Sequence, residues 1–193
     1  MLGLSNSIIS ASAPSTRVLL NTYTADFTSD ADGFADSSHN DAAATFTANQ
    51  SIGGQDGCLK VIAETDESGL WGLKKSSGAF AADFTQGDHV RVTCKLYLDT
   101  TGGAWGTGGA GANIAIYMQM GMGNYDNISM AQNTWVDFDS NLLPVGSLDS
   151  DLASGGGSDN IEIYSVTAGR PAEHAAIFVK DLVVRQYRSQ LFA

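Results

Sequence analysis

The stretch 89–99 alternates without a break, with Val90, Val92, Cys94, Leu96 and Leu98 on one side and His89, Arg91, Thr93, Lys95, Tyr97 and Asp99 on the other. A period of two marks a strand with one buried face. The same alternation runs through 113–122, where Ile114, Ile116, Met118, Met120 and Met122 share a side. Methionines at that spacing on an apolar face are core filling rather than a soft-metal site. Stretches at 17–27, 42–52, 57–65, 70–75, 128–130, 134–138 and 160–166 are separated by Gly, Asn, Asp and Ser, and predict further strands. The segment 176–186 is β-branched and aromatic, carries Asp181 in its middle and lies near the end of the chain. It reads as a closing strand whose partner is the opening strand near 22–27. That pairing would set Asp26 and Asp181 where the two carboxylates could share one cation. The sum is nine or ten strands and no helix, an all-β domain.

Composition agrees with this reading. Charged residues make up 16% of the chain and glycine accounts for 22 positions against 3 prolines, so there is little Glu and Lys to clothe helices. A length of 193 residues suits one well-buried core. The formal net charge of −11 repels nucleic acid and anionic membrane, and neither is expected as a partner. No apolar run approaches the roughly 20 residues of a membrane-spanning helix. Of the two cysteines, Cys94 falls on the core face of its strand and Cys58 on the opposite face of another, so reduced thiols and folding in a reducing compartment are expected.

Candidate chemistry is sparse. His39, His89 and His174 stand at no metal-ligand spacing, no nucleophile motif is present, and the neighbouring acids Asp137 with Asp139 and Asp149 with Asp151 read as solvated surface. No enzyme is expected. The run Asp30-Ala31-Asp32-Gly33 has the closely spaced oxygen donors that calcium prefers, or is an Asx turn. The stretch 100–112, with Trp105 at its centre, reads as a loop too rich in glycine to be packed. Its tryptophan is either a contact for a sugar or a protein, or a lid over its own sheet. Residues 1–16 have no positive n-region, which argues against a signal peptide; they read as an arm whose Leu2, Leu4, Ile8 and Ile9 bury themselves on a neighbouring subunit or on the domain 17–193.

Several short motifs occur in a telling order: Asp26-Phe27 with Asp32-Gly33-Phe34, then Gly57-Cys58-Leu59-Lys60-Val61, then 87–98, then Thr134-Trp135-Val136-Asp137-Phe138, then 177–184. Over roughly 22–187 this order resembles the β-jelly-roll carbohydrate-binding modules of the galactose-binding-like type. The resemblance implies a single β-jelly-roll sandwich of two antiparallel sheets. It also implies one structural calcium ion held by Asp26 and Asp181; Asp30 and Asp32, read from their own run, are weaker candidates for it. One departure is Leu182, which stands where the family has a second closing acid. Carried over, Trp135 is structural. Tyr97, Tyr117 and Tyr164 fall on outward faces and, with Gln119 and Glu162, are the candidates to line a concave sheet that takes a glycan; Trp71 and Trp105 are further contact candidates. The opening Met1-Leu2-Gly3-Leu4-Ser5-Asn6-Ser7 is similar to the start of small virion proteins of tailed bacteriophages. This implies a non-enzymatic virion accessory protein, a capsid decoration or tail module made in the host cytoplasm. Its arm would assemble it with its own copies or with other virion proteins, and its loops would touch host surface glycans. The alternative is an extracellular, calcium-stabilised carbohydrate-binding module recognising a polysaccharide.

Overall fold

The computed structural model describes residues 15–36, 44–64, 71–76, 88–105, 114–120, 125–144, 160–165 and 172–191. They form twelve strands: β1 (Ser15–Thr24), β2 (Ala35–Asp36), β3 (Ala44–Ile52), β4 (Gln55–Ala63), β5 (Trp71–Ser76), β6 (Asp88–Asp99), β7 (Ile114–Met120), β8 (Tyr125–Met130), β9 (Val136–Asp139), β10 (Leu143–Pro144), β11 (Asn160–Ser165) and β12 (Ala176–Leu191). There is no helix among the described residues. Ten of the twelve answer to stretches predicted from the sequence; β2 and β10 are two-residue strands too short to show a period. The arm residues Leu2, Leu4, Ile8 and Ile9 lie outside the described residues.

The strands make an all-β sandwich of two antiparallel sheets. One sheet runs β10-β6-β12-β4-β3, with β1 added to β12 and β9 to β6; the other runs β2-β5-β11-β7-β8. Leu59, Val61, Val92, Leu96, Leu98 and Ile177 from the first sheet meet Leu73, Met130 and Ile163 from the second in one buried core. The alternation of 89–99 is what places its five apolar side chains there. Cys94 joins this core, whereas Cys58 lies in a smaller cluster on the outer face of the same sheet, so both thiols are free.

β12 organises the larger sheet. β6 flanks it from Ala176 to Arg188. On its other side β4 pairs with Ala176–Val179 and β1 takes over at Val183, running antiparallel to Ser15 opposite Leu191. The opening and closing strands are therefore partners, as their position in the chain suggested. Where β4 hands over to β1 the register slips, and Asp181 adopts a left-handed backbone with φ of 51°. A bulge of this kind reverses the parity of the strand. Ile177 and Val179 face the core before it, and Leu182 and Val184 after it. Leu182 is fully buried, so a second acid at this position would place a charge in the core.

β1 ends as an edge. Among the described residues it pairs with β12 alone, and Val18, Leu19 and Leu20 in its middle are exposed.

Candidate functional site

The outer face of the five-stranded sheet gathers most of the sequence-predicted contact residues. Leu73, Ile163 and Met130 point into the core and Ser129 is exposed, which fixes the inward and outward parity of β5, β11 and β8. The register opposes Tyr164 to Tyr117 and Tyr117 to Asn127, giving one cross-strand row. It opposes Glu162 to Gln119 and Gln119 to Tyr125, giving a second row two residues away. Both rows have the outward parity, and on β5 they continue at Gly72 and Lys74. For Tyr117, Gln119, Tyr125, Asn127, Glu162 and Tyr164 the structure describes the backbone and its pairing.

With strands about 4.8 Å apart, each row crosses β5, β11, β7 and β8 over roughly 14 Å. Three tyrosine positions, two amides, one acid and one lysine thus fall within two neighbouring rows. Four of these positions, Tyr117, Gln119, Glu162 and Tyr164, are ones the sequence nominates; Tyr125 and Asn127 join them through the register. The sequence predicts strand there only over 128–130, and β8 begins three residues earlier, at Tyr125.

Tyr97 stands apart from this face. It belongs to β6 in the other sheet and is buried in the small outer cluster with Cys58, Ala176 and Phe178. Its ring lies 5.4 Å from that of Trp135 and 6.2 Å, edge-on, from that of Phe178. The turn between β3 and β4 closes over this cluster. The Trp135 indole N–H donates to Ile52 O at 3.1 Å, and a methyl group on Gly53 would lie 2.8 Å from Trp135 Nε1. Trp135, partly buried, packs against Tyr97 and the β3–β4 turn.

Trp105 is also inside. It is 0% exposed, and its indole N–H is shared between Asp99 O at 3.1 Å and Ala176 O at 3.3 Å. The expectation of an unpacked glycine loop is corrected over 100–105. A methyl on Gly102 would stand 2.5 Å from His174 O, and one on Gly103 would overlap Glu173 O. The glycines are there because the loop lies against another backbone, not because it is loose. Trp71 is the first residue of β5, paired with Ser165.

The acids considered for metal or catalysis have other partners. The Asp26 carboxylate accepts the Thr28 N–H at 3.0 Å and the Thr28 hydroxyl at 2.7 Å, and these bonds hold it below the usual carboxylate range. Asp181 faces the Lys95 ammonium at 3.5 Å. The Ala25 N–H donates to Leu182 O at 2.9 Å, so the pairing of the two strands does extend toward both acids. Among the described residues, no group of three or more His, Cys, Asp or Glu side chains is arranged to hold a metal ion. As they stand these donors do not fit a shared calcium ion. Asp139 is held by the Arg91 guanidinium, with Nε at 2.6 Å, which lowers its carboxyl and unfits it for general-acid work with Asp137. His174 is exposed beside Glu173, and His39, Asp149 and Asp151 lie outside the described residues.

No family model matches the chain, and no curated protein does. Solved structures do resemble it. The N-terminal CBM22-1–CBM22-2 tandem domain of Paenibacillus barcinonensis Xyn10C superposes with a TM-score of 0.54 at 16% identity, covering 92% of this chain and 47% of that one. The CBM22-1 xylan-binding domain of the same protein gives 0.50 at 15% identity, covering 92% of this chain and 100% of that one. The CBM22-1–GH10 modules of Clostridium thermocellum xylanase 10B give 0.46 at 11% identity over 84% of this chain, which spans 28% of their length. At such identities the first two likenesses establish the fold alone, an all-β jelly-roll sandwich.

Proposed function

We propose that the chain is a non-catalytic module that binds an extended polysaccharide across the outer face of its five-stranded sheet. The observation that carries this reading is the pair of rows Tyr164-Tyr117-Asn127 and Glu162-Gln119-Tyr125. Sugars are recognised by aromatic faces that stack on their C–H surfaces and by amide and acid groups that exchange hydrogen bonds with hydroxyls. A sheet face offers both in a repeat that suits a linear chain. The likeness to a domain described as xylan-binding supports the same class of ligand.

Affinity electrophoresis against a panel of soluble plant and bacterial polysaccharides tests the proposal. A ligand retarded by the native protein should be released by Tyr117→Ala or Tyr164→Ala with at least about a tenfold loss of affinity, ~1.4 kcal/mol, at unchanged melting temperature. Retention that survives both substitutions would refute this face as the site.

A second reading has its own support. Val18, Leu19 and Leu20 are exposed on β1, directly after the apolar residues of 1–14. On this reading the chain is a virion component that assembles through its arm with its own copies or with capsid or tail proteins. Light scattering with and without residues 1–16 tests it. A multimer that becomes a monomer on truncation supports assembly, and a monomer in both forms refutes self-assembly.

A further inference from the structure

Lys75 is the penultimate residue of β5, with the inward parity of Leu73, and its side chain is only 5% exposed. An ammonium group withdrawn from water costs several kcal/mol unless its surroundings replace the lost hydration. Here they do. Lys75 Nζ donates to the Tyr23 hydroxyl at 2.6 Å and to the main-chain carbonyl of Asp32. It lies 3.6 Å from the Asp32 carboxylate, 4.4 Å from the centre of the Tyr23 ring and 5.4 Å from that of Phe34. A carbonyl, a carboxylate, a phenol oxygen and two π faces make a cation's coordination shell.

The loop 26–34 is shaped around that charge. Asp32 and Gly33 both take left-handed backbones, φ 50° and 73°. Asp32 N–H donates to Asp30 Oδ1 at 2.6 Å, and Phe34 N–H to Ala31 O at 2.9 Å, closing two successive turns. One oxygen of the Asp32 carboxylate accepts the Tyr23 hydroxyl and, at 3.2 Å, the Asp26 N–H; the other faces Lys75. A methyl on Gly33 would come within 3.6 Å of Lys75 Cε and Nζ, so the loop lies directly against the side chain it encloses. The Asp30 and Asp32 oxygens that suggested calcium in the sequence accept from the main-chain N–H groups of Asp32 and Asp26 and from the Tyr23 hydroxyl, and face an ammonium ion.

We infer that Lys75 is the resident cation of the opening loop, and that it takes the place a divalent ion would hold at Asp30 and Asp32. Its charge ties β1 and the loop, in one sheet's chain path, to β5 in the other. The Lys95 ammonium beside Asp181 does the corresponding service at the β12 bulge, in the open. A divalent ion entering at Asp30 and Asp32 would have to displace a positive charge that the chain itself supplies, at a distance where like charges repel strongly.

Thermal melting of the full chain tests this, in chelator and in millimolar calcium, alongside calcium titration calorimetry. The native protein should melt at the same temperature in both and give no binding heat. Lys75→Met keeps the methylene stem and removes the charge, and should lower the melting temperature by about 5 °C or more. Adding Asp32→Asn, which removes the acid left without its cation, should recover part of that loss. The inference is overturned if calcium raises or chelator lowers the melting point of the native protein, or if Lys75→Met is as stable as the native chain. If Lys75→Met does not fold, the native protein's response to calcium still decides the matter.

Discussion

Replacing Trp105 separates the two roles the sequence allowed it, ligand contact and lid over its own sheet. The side chain is fully buried between β6, the start of β12 and Gln132, whose amide donates to Trp105 O at 3.2 Å. A tryptophan buries about 150–250 Å², which at ~25 cal/mol per Å² is an upper estimate of roughly 4–6 kcal/mol. Truncation of buried Trp to Ala costs about 3–5 kcal/mol. Trp105→Ala should therefore lower the melting temperature by about 6–20 °C. Trp105→Phe keeps most of the apolar volume but leaves Asp99 O and Ala176 O without their shared donor, at a cost of about 1–3 kcal/mol. Thermal and urea unfolding followed by far-ultraviolet circular dichroism give the two numbers. An Ala variant within about 1 kcal/mol of the native protein would show that the indole is not core, and with it the packing assigned to 100–105 would fall.

Three further outcomes follow from the geometry. Gly103→Ala should lower stability by about 1–3 kcal/mol, read by the same unfolding assay, because the added methyl overlaps Glu173 O; no effect would mean that the two backbones are not in contact. The Asp139 carboxyl is lowered in the folded state by its hydrogen bond to Arg91, so its contribution is present above the ordinary carboxylate range near 4 and is lost as the pH falls through its folded value. Asp139→Asn should thus melt slightly below the native protein at neutral pH and coincide with it in acid, with a gap that persists in acid counting against the pairing. Burial raises both the Cys94 and Cys58 thiols, so a thiol reagent at neutral pH should modify neither until urea unfolds the chain; fast labelling of the folded protein would contradict their placement.

The fold was readable because its burial is one-sided. Strands such as β6 have a core on one face and water or a thin second cluster on the other, so the period of two survives in the sequence. Reading failed where tertiary contact overrode local pattern. The run 100–105 has the composition of a loose loop, yet its glycines are required by the backbone at 173–175. Sequence composition records that a side chain is missing, not what occupies its place. β12 failed differently. Its bulge reverses the faces of everything after Asp181, and nothing in Lys180-Asp181-Leu182 announces a slip of register. Leu182 then looks like a departure from the family's closing acids, although at its place in this fold it is a core residue.

The candidate site was legible only as far as parity could be carried across strands. Tyr117, Gln119, Glu162 and Tyr164 were found because two alternating stretches each fixed which side was inward. That β7 and β11 are neighbours depends on a pairing more than 40 residues apart in the chain, whereas Tyr125 and Asn127 join the same rows through a local hairpin of β7 and β8. Tyr97 shows the limit of the method. Its parity is outward, as expected, but on the other sheet, where Trp135, Phe178 and the β3–β4 turn cover it. Outward parity therefore identifies a binding position only on a face that no other element covers. The acids make the same point for charge. A short run of aspartates announces a cation, and here the sequence places a suitable one 43 residues away, on a strand whose partner loop only the folded chain reveals.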